Sequence, residues 1–314
     1  MIKNKKKYFD NFVINYTPWK WENQNEKRIL YKDKSSVLVS YTRFLKVFNY
    51  LTKIREEIPG EIKIIDVGAF PGNMVKLTRD LFKNISQHVA IGLGFEKEFI
   101  DELTKLNIKC IDTEMDPAFE KAKEIKNWNL KNFDLCLLLD TIEHLIEPNF
   151  CLDQINKSLR KEGFLILTTD NITNFLYIQE MLRKGKSPNV PYVLSSKVFT
   201  GDWRPHHREF SKHELNYLLS YSGFKIIKHE YFDRKQGEHK LNREKNKIIN
   251  HRYKWGIKHG IFLAAKNLAY CIPHLRNHQI LLAQKINEID EIKNLRIKTE
   301  SKEEWLKIRS SQGY

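Results

Sequence analysis

Asp140, Glu143 and His144 have residue types and a spacing that could do chemistry together. They form D-x-x-E-H directly after an apolar run, and a helical turn would set positions i, i+3 and i+4 on one face. Two carboxylates and an imidazole offer oxygen and nitrogen donors that suit a divalent cation needing further ligands. His206, in the run HHREF, is the best additional donor, so the candidate metal ligands are Asp140, Glu143, His144 and His206. His206 and its neighbour His207 also suit a general base, because an imidazole titrates near about pH 6.5. Glu143, His144 and His206 are accordingly the candidate catalytic residues. The same residues have an ordinary structural reading: Glu143 capping a turn, His144 packing, and the paired histidines exposed or held by Glu209.

Such residues need a scaffold, and the run IKIIDVGAFPG (62–72) supplies the start of one. Its isoleucines and valine suit a strand buried on both faces. Asp66 sits near the strand end, Gly68 and Gly72 shape the loop, and NMVKLTRDLF follows as a helix. Strand, acid, glycine turn and helix build a nucleotide site at the carboxyl ends of an open α/β sheet. The run is not G-x-G-x-x-G, and no G-K-[ST] follows it. Further on, LCLLL (135–139) is an uninterrupted apolar strand ending at Asp140. Pro148 then starts a helix, with Leu152, Ile155 and Leu159 at helical spacing. Gly163 is expected to stop that helix before the strand FLILTT.

With DVGAFPG (66–72), FDLCLLLDTIEHL (133–145), LRKEGFLILTTDN (159–171) and HHREFSKHELNYLLSYSGFKI (206–226) in this order, the chain resembles the class I S-adenosylmethionine-dependent methyltransferases. The likeness is closest to the small-molecule O-methyltransferase branch that includes the ubiquinone-biosynthesis enzymes, and it covers about the middle half of the chain. The resemblance implies S-adenosyl-L-methionine as cofactor. It implies contacts from Asp66, Gly68, Ala69, Phe70, Gly72 and Asn73 in the glycine loop, and from Gly94, Phe95 and Glu96 after the second strand of the sheet. Asp112 should approach the adenine, with Glu114 as the alternative, and Asp140 the methionine part. It also lends weight to the metal, because some methyltransferases with E-x-x-E-H complete a metal site with a later histidine. Two departures stand out. Phe70-Pro71 replaces a small residue, and Gly94 stands where the family has an acid for the ribose hydroxyls, with Glu96 two residues on as the substitute.

The alternation along the chain implies a doubly wound, mostly parallel seven-stranded sheet with helices on both faces, a Rossmann-like methyltransferase fold. Its strands are expected at 62–67, 88–93, 108–111, 133–139, 163–168, 224–232 and 278–285. Helices are expected at 40–58, 73–83, 96–106, 118–127, 149–161, 172–184 and 211–222, the last opened by a Ser211/Glu214 capping box. Residues 1–58 read as an N-terminal helical extension, and 59–232 plus 278–285 as the methyltransferase domain. A charged insertion and cap helix fill 233–277, with a long loop over 185–205, and 286–314 form a C-terminal tail.

Composition bounds the rest. Hydrophobic residues at 41% support a packed core, so wholesale disorder is excluded. The net charge of +15 suits an anionic partner such as RNA or an acidic membrane surface, or is a solvated lysine-rich surface. The cysteines, at 110, 136, 151 and 271, have no C-x-x-C pair, which speaks for a reducing compartment. No secretory signal and no apolar run of membrane-spanning length is visible. A cytoplasmic location is expected, with peripheral membrane contact left open by the lysine-studded apolar run WGIKHGIFLAAKNLAYCI (255–272). The leading reading is O-methylation of a small molecule such as a sugar or glycan intermediate. The alternatives are an RNA methyltransferase and an inactive binding protein of the same fold.

Overall fold

The structure is a computed structural model that describes residues 4–24, 27–33, 40–118, 128–185, 206–233 and 271–291. Its centre is a seven-stranded sheet. In chain order the strands are β3 (Ile62–Val67), β4 (Ile85–Gly92), β5 (Lys109–Asp112), β6 (Phe133–Leu139), β7 (Leu159–Asp170), β8 (Phe224–Phe232) and β9 (His278–Lys285). Across the sheet they lie in the order β5-β4-β3-β6-β7-β9-β8. The first five are mutually parallel, and β9 runs antiparallel to both its neighbours. Strand order reverses between β3 and β6, so the ligand crevice of this doubly wound sheet opens above their carboxyl ends.

Period-two alternation sorts the strand residues between two layers. Ile62, Ile64, Leu135, Leu137 and Ile166 face one layer with Phe9 and Val13 of α1 (Lys5–Asn15), Val47 and Leu51 of α2 (Tyr41–Glu57) and Leu77 of α3 (Asn73–Leu81). Ile65, Val67, Cys136, Leu138 and Leu165 face the other, with Leu152 and Ile155 of α5 (Pro148–Ser158) and Leu215 and Leu219 of α7 (Lys212–Tyr221). A third cluster, including Ala69, Phe95 and Phe99, joins the glycine loop to α4 (Lys97–Thr104).

Several boundaries differ from expectation for physical reasons. The helix expected at 149–161 ends at Ser158, and Gly163 lies inside β7 rather than stopping a helix. Lys285, almost fully buried, donates to the carbonyls of Asn156 (2.7 Å) and Leu159 (2.8 Å), which closes the helix early. Glu162 takes φ +63° where the β6–β7 register shifts, so the extra residues form a bulge. The helix expected from residue 172 starts at Phe175 as α6 (Phe175–Lys184), capped by the Asn174 side chain. The expected helical extension also contains a hairpin, β1 (Trp19–Gln24) with β2 (Lys27–Lys32). The Ser211/Glu214 capping box forms as read. The helix expected at 118–127, the loop at 185–205, the charged stretch, most of the 255–272 helix and the tail beyond residue 291 lie outside the described residues.

Candidate active site

The crevice wall begins at the end of β3. Asp66 is buried and its Oδ2 has no hydrogen-bond partner; burial pushes its carboxyl up to about 8. The loop turns at once: Gly68 has φ +72° and donates its N–H to Ile91 O at 2.9 Å. A Cβ on Gly68 would collide with the Thr141 side chain, so the glycine is needed for packing of the loop after β6 as well as for its left-handed backbone. Gly72, at φ +84°, leads into α3, where a Cβ would stand 2.8 Å from the Phe99 ring. Asn73 opens α3 with a buried Oδ1 that has no partner. Two buried polar atoms without partners beside the N-terminus of a helix suit a ligand that carries both donors and a negative charge.

The second wall is built from β4 and β5. Gly94, at φ +68°, donates its N–H to Asp112 Oδ1 at 2.8 Å, so Asp112 ties its strand end to the loop after β4. Glu96 precedes α4 as its N-cap residue and makes no side-chain cap bond. Phe95 is buried and folds back over Gly92, where any Cβ would strike its ring. Glu114, the alternative to Asp112, is buried with Oε1 accepting from Met115 N (2.8 Å) and Asp116 N (3.0 Å). Asp116 in turn accepts from the backbone of Ile146, which fastens this loop to the one after β6.

The loop after β6 separates Asp140 from its expected companions. Asp140 takes φ +46°, and a 3-10 turn covers only Ile142–His144. Positions i, i+3 and i+4 therefore do not share a helical face, contrary to the spacing argument. Thr168 causes this: its carbonyl accepts from Asp140 N at 2.9 Å and its hydroxyl donates to Asp140 Oδ1 at 2.7 Å. The Asp140 carboxylate is ion-paired with Arg43 of α2 and lies outside the metal-type grouping.

Glu143, His144 and His206 do come together. One donor atom from each lies within 4.8 Å of the others, and the rings of His144 and His206 meet edge-on at 4.7 Å between centroids. The backbone does the gathering: Glu143 O accepts from His207 N at 2.7 Å, which pins the 206–208 segment against the turn. Glu143 is 1% exposed and accepts from Thr169 Oγ1 at 2.9 Å; burial, helped by the Asp170 charge, raises its carboxyl to about 7. His206 Nδ1 lies 3.1 Å from Glu209 Oε1 and 3.4 Å from Asp170 Oδ2. Burial opposes a charged imidazole there, but the Glu209 hydrogen bond and the Glu143 and Asp170 carboxylates outweigh it and raise the His206 value. Asp170, His206 and Glu209 form a second donor group within the same span.

Sequence reasoning missed Arg43, Asp170, Tyr177 and His278. Tyr177 donates to Glu209 at 2.7 Å, and His278 pairs with Asp170. Asp170 was within reach, since it ends an apolar strand as Asp140 does. Arg43, Tyr177 and His278 sit on elements with no local motif.

The family model described as "Methyltransferase domain" matches residues 40–229, more than half of the chain. No curated protein sequence matches it. Among solved structures the chain is similar to an S-adenosylmethionine-dependent methyltransferase from Mesorhizobium loti, with 12% identity, 74% of this chain and 96% of that one covered, and a TM-score of 0.44. It is similar also to one from Archaeoglobus fulgidus, with 15% identity, coverage of 75% and 93%, and a TM-score of 0.43. Among the described residues no helix is long and apolar enough to cross a membrane. By the family match and the sheet that carries it, the chain belongs to the methyltransferase-domain family and is a class I S-adenosylmethionine-dependent methyltransferase.

Proposed function

We propose that this methyltransferase acts on a hydroxyl of a small molecule, a sugar or glycan intermediate, with Glu143, His144 and His206 lining the acceptor side. The observation that carries this reading is the convergence of those three side chains at the carboxyl edge of the sheet, next to the crevice. S-adenosylmethionine supplies an electrophilic methyl group when bound, so the protein must align the acceptor, exclude water and remove one proton. His206 is the group that takes the hydroxyl proton. The carboxylates of Glu209 and Asp170 beside it stabilise the imidazolium that results. Glu143 and His144 orient the acceptor oxygen. The likeness of the motifs to small-molecule O-methyltransferases supports the same acceptor class.

A second reading is favoured by the donor set itself. A buried carboxylate and two imidazoles within 4.8 Å suit a divalent cation in type and spacing. Glu143, His144 and His206 would hold it, and it would lower the pKa of a coordinated hydroxyl.

His206→Ala separates the two. Under the first reading it lowers turnover by roughly 10²–10⁴-fold. Affinity for S-adenosylhomocysteine changes little, and the metal content of the purified protein, read by mass spectrometry, stays at background. Under the second reading the wild type carries about one equivalent of metal and the variant loses it. Full acceptor-dependent formation of S-adenosylhomocysteine by the variant would defeat both.

A further inference from the structure

We infer that the groove between α1 and α3 is a binding site for a neutral saccharide of one or two residues. The inference does not depend on the acceptor proposed above, since the groove is built from other elements. α3 turns Met74, Leu77 and Leu81 to the core, and Lys76 and Asp80 face the groove. α1 lines it with an aromatic stripe: Tyr8 and Phe12 stand one helical turn apart, and Tyr16 follows one turn further, at the C-cap. The cavity between them measures about 490 Å³, inside the range of roughly 300–1,000 Å³ for small-ligand sites. The stripe is held in place. Phe12 and Tyr16 stack at 5.2 Å with 27° between their planes, and Tyr8 stacks on Phe48 of α2 at 5.8 Å. Lys76 lies over the Tyr16 ring, 4.6 Å from its centroid, and is ion-paired with Glu102.

The chemistry of the lining selects the ligand. Aromatic ring faces suit the C–H face of a pyranose, which is the apolar surface of an otherwise polar molecule. Asn11 and Asn15, one turn apart beside the rings, each offer donors and an acceptor. Asp80 across the groove offers acceptors, to which sugar hydroxyls can donate. Hydroxyl groups, which both donate and accept, are therefore matched on both walls, and a purely apolar ligand would leave these groups unused. Anions are disfavoured. The Lys76 ammonium is already engaged by Glu102, and Asp80 adds a further carboxylate. A sugar phosphate or a nucleotide meets repulsion there that a neutral sugar does not.

The test uses the full chain and needs neither cofactor nor methyl transfer, so its outcome is separate from that of the function proposed above. Saturation-transfer NMR with glucose, galactose, N-acetylglucosamine and maltose as probes should detect binding of at least one, and titration gives its dissociation constant. Phe12→Ala should weaken that sugar by about tenfold, as for a lost stacking contact. Asp80→Ala should weaken it by about tenfold as well, as for a lost hydrogen bond to a charged group. Asp80 is exposed on α3, so its variant covers the case in which Phe12→Ala fails to fold. Glucose 6-phosphate should bind more weakly than the tightest of the neutral probes. Three results each overturn the inference: no signal from any neutral probe, an affinity unchanged in the folded variants, or tighter binding of the phosphate.

Discussion

Asp66 places a carboxyl in full burial at the mouth of the crevice, and burial alone holds its value near 8 against 3.8 for an open chain. Between those two values the folded chain keeps a proton that the unfolded chain has lost. Stability therefore falls as pH rises through that window, by up to about 1.4 kcal/mol per pH unit. Asp66→Asn should flatten this dependence, and urea unfolding followed from pH 5 to 8 measures it. A variant with the same slope as wild type would show that Asp66 is not the group responsible. Gly68 makes a related point about single residues. Its substitution acts through Thr141, which any Cβ would strike, and through the strained backbone, before any ligand is considered.

Among the described side chains, Glu102 ties the hairpin β1–β2 to the sheet domain. Glu102 of α4 accepts from Trp19 Nε1 at 2.6 Å and pairs with Lys32 of the hairpin (3.2 Å) and with Lys76 of α3. Trp19 also packs on the cluster that includes Ala69 and Phe95, so the hairpin is anchored beside the glycine loop. These contacts are partly solvated, and each is worth a fraction of its gas-phase strength. Glu102→Ala should lower the local opening free energy of the hairpin by about 1 kcal/mol. Amide hydrogen exchange should then speed up at residues 19–32 while β3 and β6 stay protected. Equal acceleration across the central strands would mean that Glu102 supports the whole core instead.

At the scale of the molecule, the last described strand in sequence closes the sheet. β9 lies between β7 and β8 and is hydrogen-bonded to both, and Ile280, Leu281 and Ala283 on it are buried. Removing it would leave two edges unpaired and both cores open. A chain ending after Asn277 should lose cooperative thermal unfolding and near-ultraviolet dichroism. A sharp melting transition near that of the full chain would show that β8 can close the sheet directly.

The strands β3 and β6, the glycine loop and the capped start of α7 were legible residue by residue because their signals are local. A β-branched run, a glycine needed at positive φ and a serine three residues before a glutamate each act within one turn or one strand. Residues 278–285 were readable as a strand, but not as the one between β7 and β8, because β pairing is set by which apolar faces meet. The D-x-x-E-H spacing pointed to the right neighbourhood, and folding divided it: Thr168 and Arg43 hold Asp140, while Thr169 and the His207 amide hold Glu143. Contacts between residues so far apart in the chain carry no periodicity or local motif. They exist only once the sheet has brought its carboxyl edges and α2 together, which is why Arg43 emerged from the fold and not from the run of letters.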